Sequence, residues 1–314
     1  MEVFFACFLF QKKAERKQEV WAVNIQWYPG HMTKTRRQIE ADLKQVDMVA
    51  ELVDARIPVS SRNPDIDALV GAKPRLVILN RADQADPEWN RRWGETFKAQ
   101  GFAVLETDAK TGRGVNGFSA AVRGLLRAQI ERWNAKGQVG RPVRAMVVGV
   151  PNVGKSTFIN QVAHRKSAKA GDRPGVTRGK QWVAVDAGLA LLDTPGILWP
   201  KFEDETVGRH LAYTGAVKDD IMDVETLGCH LMRDLSAHYP AALEQRYKLE
   251  LPAGEDGEND LAYGYRLLEL AAKKRGFLAS GGDADTERMS RILLDELRGG
   301  KLGRFTFEYP EGKS

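Results

Sequence analysis

Gly149-Val150-Pro151-Asn152-Val153-Gly154-Lys155-Ser156 is the stretch on which the reading of this chain turns. It fits the pattern G-x-x-x-x-G-K-S, with an apolar strand-like run, 145–148, before it and a helical pattern, 155–162, after it. In that context the glycines let backbone N–H groups curl around phosphate oxygens. Lys155 neutralises β and γ oxygens, and Ser156 offers a hydroxyl to Mg²⁺. Val153, Gly154 and Thr157 complete the expected phosphate-binding set, with Asn152 at the turn.

Downstream, Asp193-Thr194-Pro195-Gly196 follows at the end of a predicted strand. Its carboxylate can hold Mg²⁺ through water, and the Gly196 N–H can sense a γ-phosphate. Between the two lies Arg173-Pro174-Gly175-Val176-Thr177, a Gly/Pro-rich loop whose Thr177 can complete the Mg²⁺ shell when a triphosphate is bound. Upstream, an apolar run ends in Asn80-Arg81-Ala82-Asp83, and the next ends in Thr107-Asp108-Ala109-Lys110. A carboxylate at Asp83 can accept the N1–H and the exocyclic amine of guanine, a donor pair adenine lacks. The Ala109 N–H is expected to meet the base oxygen.

The surrounding pattern is α/β. Strand-length apolar runs occur at 48–53, 76–79, 102–105, 145–148, 182–185 and 189–192, the last two separated by the turn Asp186-Ala187-Gly188. Helical patterns at 34–44, 87–100, 115–134 and 155–162 alternate with them, which implies a mainly parallel sheet with one antiparallel edge pair. After about residue 200 the strand runs stop. Helices are predicted at 205–213, 224–238, 262–275 and 285–298, with a tail, 304–314, read as a short strand or disorder. The expected division is 1–24 as an appended, disordered extension that need not belong to the native product, 25–204 as the nucleotide domain, and 205–314 as a smaller all-helical domain.

With 314 residues, 43% apolar and 28% charged, the chain has ordinary globular composition for about two domains. Its most apolar run, 3–10, is far shorter than the ~20 residues of a membrane span. Two cysteines, Cys7 and Cys229, make no disulfide framework and suit a reducing, cytoplasmic compartment. The net charge of +5 hides an asymmetry: residues 123–180 hold 13 Lys/Arg against only Glu131 and Asp172. That concentration points to a polyanionic partner.

Asn80–Asp83 resembles the N-K-x-D motif of GTPases, and Asp108-Ala109-Lys110 resembles their S-A-K motif, yet both precede the phosphate loop. That order is the order of circularly permuted GTPases. Trp27-Tyr28-Pro29-Gly30-His31-Met32, Leu52-Val53-Asp54-Ala55-Arg56-Ile57-Pro58 and the phosphate loop are similar to one branch, the ribosome biogenesis GTPase A (YlqF) family. The resemblance implies a permuted G domain with a helical domain behind it, GTP hydrolysis with GTP/GDP and Mg²⁺, and action on the precursor large ribosomal subunit and its rRNA. It implies no membrane span and identifies no stable protein partner. It also implies that Asn152 can hold K⁺ and that His31 acts on the attacking water, because Ile197 stands where a water-orienting Gln is found in other GTPases. Arg81 for the usual Lys and Asp108 for the usual Ser are departures. A permuted GTPase of the small subunit and a P-loop phosphotransferase acting on a small molecule remain the alternatives.

Overall fold

All seven residues of β1 (Met48–Asp54) and all six of β2 (Arg75–Asn80) are buried, as in strands covered on both faces. The computed structural model describes residues 37–164, 181–194, 204–217, 219 and 223–310. They fall into two compact units, one of Trp27–Pro200 with Arg304–Ser314, the other within Lys201–Gly303.

The first unit carries a six-stranded sheet completed by β3 (Ala103–Glu106), β4 (Val143–Val148), β5 (Gln181–Asp186) and β6 (Leu189–Asp193). Strand order is β3-β2-β1-β4-β6-β5, parallel throughout except for the β5–β6 hairpin. The hairpin turn is held by Asp186, whose carboxylate accepts the Gly188 N–H. Registers pairing Asp54 with Asn80, Leu79 with Glu106 and Val147 with Asp193 bring the C-terminal ends of the strands to one edge. Open α/β sheets bind their ligands at that edge.

Residues 37–43 are helical. Helices α1 (Pro64–Val70), α2 (Pro87–Ala99), α3 (Phe118–Leu125), α4 (Arg127–Ala135) and α5 (Lys155–His164) follow. Asp86 caps α2 by accepting from the Glu88 and Trp89 N–H groups, with Pro87 at the first turn. α1 was not expected: seven residues, of which only Ile66 and Val70 are buried, are too few to show a period. The single helix expected at 115–134 is instead a 3₁₀ turn (Val115–Gly117), α3 and α4. It breaks at Leu126, which is buried, and α4 beyond it buries none of its residues. One face of the sheet holds two apolar clusters, around Val49 and around Val53. Glu51, between them on the same face, accepts from Arg62 and Arg75. On the other side of the sheet, Phe118 of α3 meets Phe158 of α5 edge to face at 5.2 Å.

Residues 304–310 return to this unit, where the sequence grouped them with the helices. The Phe305 N–H donates to the Gln84 carbonyl and the Phe307 N–H to the Arg56 carbonyl. The Glu308 carboxylate accepts from the Val59 and Ser60 N–H groups, and the Trp93 indole N–H donates to the Glu308 carbonyl. Phe305 and Thr306 are 2% and 0% exposed. Terminal segments fray unless tied down; this one is tied by backbone bonds and two buried rings.

The second unit is helical: α6 (Glu205–Tyr213), α7 (Val224–His238), α8 (Pro240–Tyr247), α9 (Asp260–Lys274) and α10 (Thr286–Arg298). The eight-residue α8 was not expected from sequence. α7 and α9 approach so closely that a Cβ on Gly264 would stand 2.1 Å from the Cys229 carbonyl oxygen. Glu296 of α10 gathers Arg246, Arg275 and the Tyr247 hydroxyl. Among the described residues no helix is long and apolar enough to cross a membrane.

Candidate active site

The phosphate loop lies between β4 and α5, as its spacing requires. Gly154 has φ 100°, and a Cβ there would come 2.5 Å from Asn80 Nδ2. Asn152 is also left-handed, at φ 58°, and exposed. Lys155 folds inward, its Nζ donating to the Gly149 and Val150 carbonyls at 2.9 and 2.8 Å. Burial pushes its pKa down from 10.5 to about 8, with Asp193 pulling the other way. Ser156 and Thr157 open α5 with exposed side chains. Thr194, just past β6, donates its hydroxyl to the Val147 carbonyl, tying the end of β6 to the strand that leads into the loop.

The two base-end segments meet the phosphate loop through one buried side chain. Asn80, 2% exposed, donates from Nδ2 to the Val153 carbonyl at 2.8 Å. Its Oδ1 accepts from the Thr107 hydroxyl and from the Ala109 N–H, both at 3.0 Å. The Ala109 N–H, expected to face the base oxygen, is thus engaged by Asn80 in this structure. Asp83 is half-buried and accepts no hydrogen bond from another described residue. Asp108, the departure from Ser, turns its carboxylate back on its own loop: it accepts from the Lys110 and Thr111 N–H groups and from the Thr111 hydroxyl. That is an Asx turn, which a carboxylate forms at least as well as a hydroxyl. The Lys110 carbonyl accepts from Gln161 of α5 at 3.5 Å.

Three residues were not singled out from sequence. Asp54, at the end of β1, accepts from Arg56 through Nε at 2.9 Å and Nη2 at 2.7 Å. Burial raises its carboxyl pKa, but Arg56 and Arg81 outweigh that and hold it below the ordinary value. Arg81 Nε lies 3.7 Å from Asp54, and Arg81 Nη2 donates to the Asn152 carbonyl at 2.9 Å. A guanidinium fork spans two acceptors at once, which a single ammonium does less well, so the Lys-to-Arg departure gains a second anchor. The Asp-x-Arg spacing at a strand end was the available signal. Gln161 had none beyond its place on the α5 surface. His31, Thr177, Gly196 and Ile197 lie outside the described residues.

A family model described as "50S ribosome-binding GTPase" matches residues 144–241. A "Ribosome biogenesis GTPase A" from Bacillus cereus is 48% identical over 288 residues, covering 91% of this chain and 94% of that protein. The chain belongs to the ribosome biogenesis GTPase A family. Among solved structures, GNP-bound YlqF from T. maritima is 28% identical with a TM-score of 0.59, covering 89% of this chain and all of that one. A GDP-bound YlqF aligns with a TM-score of 0.58 over 88% and 100% of the two chains. As a ribosome biogenesis GTPase A, the chain is a GTP-binding GTPase with a circularly permuted G domain. Its base-end strands β2 and β3 precede the phosphate-loop strand β4 in sequence and lie on the far side of β1 in the sheet.

Proposed function

We propose that this GTPase binds the precursor of the large ribosomal subunit in the cytoplasm, contacts its rRNA, and couples GTP hydrolysis to subunit maturation. The observation that carries the nucleotide site is Asn80, one buried amide joining the base end to the phosphate loop. The family model's description and the name of the Bacillus cereus relative support the particle as partner.

Asp83 reads guanine, with Arg81, Asp108, Ala109 and Lys110 shaping the base end. Asn152, Val153, Gly154, Lys155, Ser156 and Thr157 hold the phosphates. The Ser156 hydroxyl and the Asp193 carboxylate are hard oxygen donors of the kind Mg²⁺ prefers, Thr177 adding a third in the triphosphate state. Bound there, Mg²⁺ supplies charge neutralisation between the β- and γ-phosphates. The exposed Asn152 amide adds an oxygen of the type K⁺ takes. Gly196 senses the γ-phosphate, and His31 acts on the attacking water. His31→Ala is then expected to lower the particle-stimulated single-turnover rate with GTP affinity nearly unchanged.

The test is sedimentation of the protein with purified large subunits in GDP and in a non-hydrolysable GTP analogue. Co-sedimentation favoured by the analogue is expected. Equal absence in both nucleotides would overturn the proposal.

A further inference from the structure

We propose that the ridge Trp133–Arg141–Arg144–Trp182 on the first unit is a docking surface for the phosphate backbone of RNA. The proposal rests on the reading of rRNA as partner and goes beyond it by naming where the contact is made.

The ridge is assembled from four pieces of chain. α4 gives Trp133, the loop after it Arg141, the start of β4 Arg144, and edge strand β5 Trp182. Arg141 lies over the Trp133 ring with its guanidinium carbon 4.1 Å from the centroid, and Arg144 lies over Trp182 at 5.6 Å. A single carboxylate joins the two arginines: Asp47 accepts Arg141 Nη2 on one oxygen and the Arg144 backbone N–H on the other, both at 2.9 Å. Each aromatic–arginine pair is thereby continuous with the next, and the line crosses from α4 to the sheet edge.

Three features of this line exceed what a solvated face requires. The Arg144 guanidinium has no carboxylate or carbonyl acceptor among the described residues, so its N–H fork is available. Trp182 is 39% exposed on an edge strand, an unusual place to leave an indole open to water. And α4 buries none of its nine residues, so it adds little to the core while carrying Arg127 and Arg132, with Lys136 just beyond it. Residues 127–144 hold five cations against Glu131 alone, and Glu131 is already paired to Arg127.

Charge complementarity selects a polyanion, and the planar groups select its kind. Guanidinium forks match phosphate oxygens bidentately. An exposed indole beside them offers a stacking face to an unpaired base, the arrangement by which single-stranded and looped RNA is held. An acidic protein segment would use the cations but not the indole.

Two probes test this with the full chain: purified large subunits, and a fluorescein-labelled 20-nucleotide RNA hairpin with a single-stranded loop. Affinity for each is measured against salt for the wild type, the triple variant Arg132→Gln/Lys136→Gln/Arg144→Gln, Trp182→Ala and Trp182→Phe. Each phosphate neutralised by a cation contributes about 0.7–0.9 to the slope of log affinity against log salt. The triple variant is expected to flatten that slope by about 2 and to weaken both probes at least tenfold. Trp182→Ala is expected to weaken the hairpin severalfold at unchanged slope, with Trp182→Phe restoring most of the loss. GDP affinity is expected to stay the same in all three, since among the described residues none of these side chains bonds to the phosphate loop or to the segments 80–83 and 107–110. A triple variant with wild-type slope on the hairpin overturns the ridge, whatever happens with particles. So does equal weakening on particles stripped of RNA by nuclease, which would make the partner a protein. Wild-type protein that binds the hairpin through the ridge but ignores large subunits would refute the particle reading alone.

Discussion

Asn80→Ala removes the one side chain shared by the base end and the phosphate loop. Three hydrogen bonds go with it: to the Val153 carbonyl, the Thr107 hydroxyl and the Ala109 N–H. At a net ~0.5–1.5 kcal/mol each, with the partners left buried, the first unit is expected to lose roughly 2–4 kcal/mol. For a urea slope of ~1–3 kcal/mol/M that moves the midpoint by about 1–2 M. Tryptophan fluorescence weights the signal toward the first unit, because six of the seven tryptophans lie within 27–200. Asn80→Asp is the finer probe. It keeps an acceptor for Thr107 and Ala109 but sets an oxygen against the Val153 carbonyl, so GDP affinity is expected to fall more than stability. A double-mutant cycle with Thr107→Val should return a coupling of about 1 kcal/mol. Additive effects, or a loss under about 0.5 kcal/mol for Asn80→Ala, would refute the bridging role.

Asp83→Asn is expected to lower GTP affinity by ~1.5–3 kcal/mol and to shift preference toward xanthosine nucleotides, since the donor–acceptor match reverses; unchanged GTP binding in a competition titration would sink the base assignment. Burial holds Lys155 near 8, so the unfolded chain binds more protons than the fold between about pH 8 and 10.5, and this group makes apo stability rise with pH across that window. Phosphates restore the charge, so GDP binding at pH 8 should take up about half a proton and at pH 6 almost none, read by calorimetry in buffers of different ionisation enthalpy. Ending the chain at Gly303 strips Phe305, Thr306 and Phe307 from their buried sites. The first unit should then melt several degrees lower and release GDP faster, and an unaltered release rate would confine the tail to stability.

The phosphate loop, the base segments and all six strands were legible because each is marked locally, by glycine spacing or by an apolar run of strand length. What escaped was set by tertiary partners. α1 buries two residues in seven and leaves no period to find. The break at Leu126 interrupts a continuous helical pattern at a residue drawn into the core. Asp54 and Arg56 were visible as part of a motif, but the third member of their cluster, Arg81, arrives from the end of the next strand. The tail gave no signal: its apolar residues, Phe305 and Phe307, alternate over too few positions to say which body they join. Asp108 looked like a defect in a serine position and is a turn-former, because a carboxylate accepts three donors where a hydroxyl accepts fewer.

The docking of 304–310 beside the base segment has a consequence for the order in which the molecule is made. Proteins are synthesised from the N-terminus, and units fold as they emerge. Here the backbone that braces Gln84 and Arg56 is translated after every strand and helix of the described residues. The sheet can assemble once β6 is out, yet Gln84 and Arg56 lack this buttress until residues 304–310 have followed the helical unit. A chain that stops before residue 304 is therefore expected to bind nucleotide more weakly even with every motif residue in place.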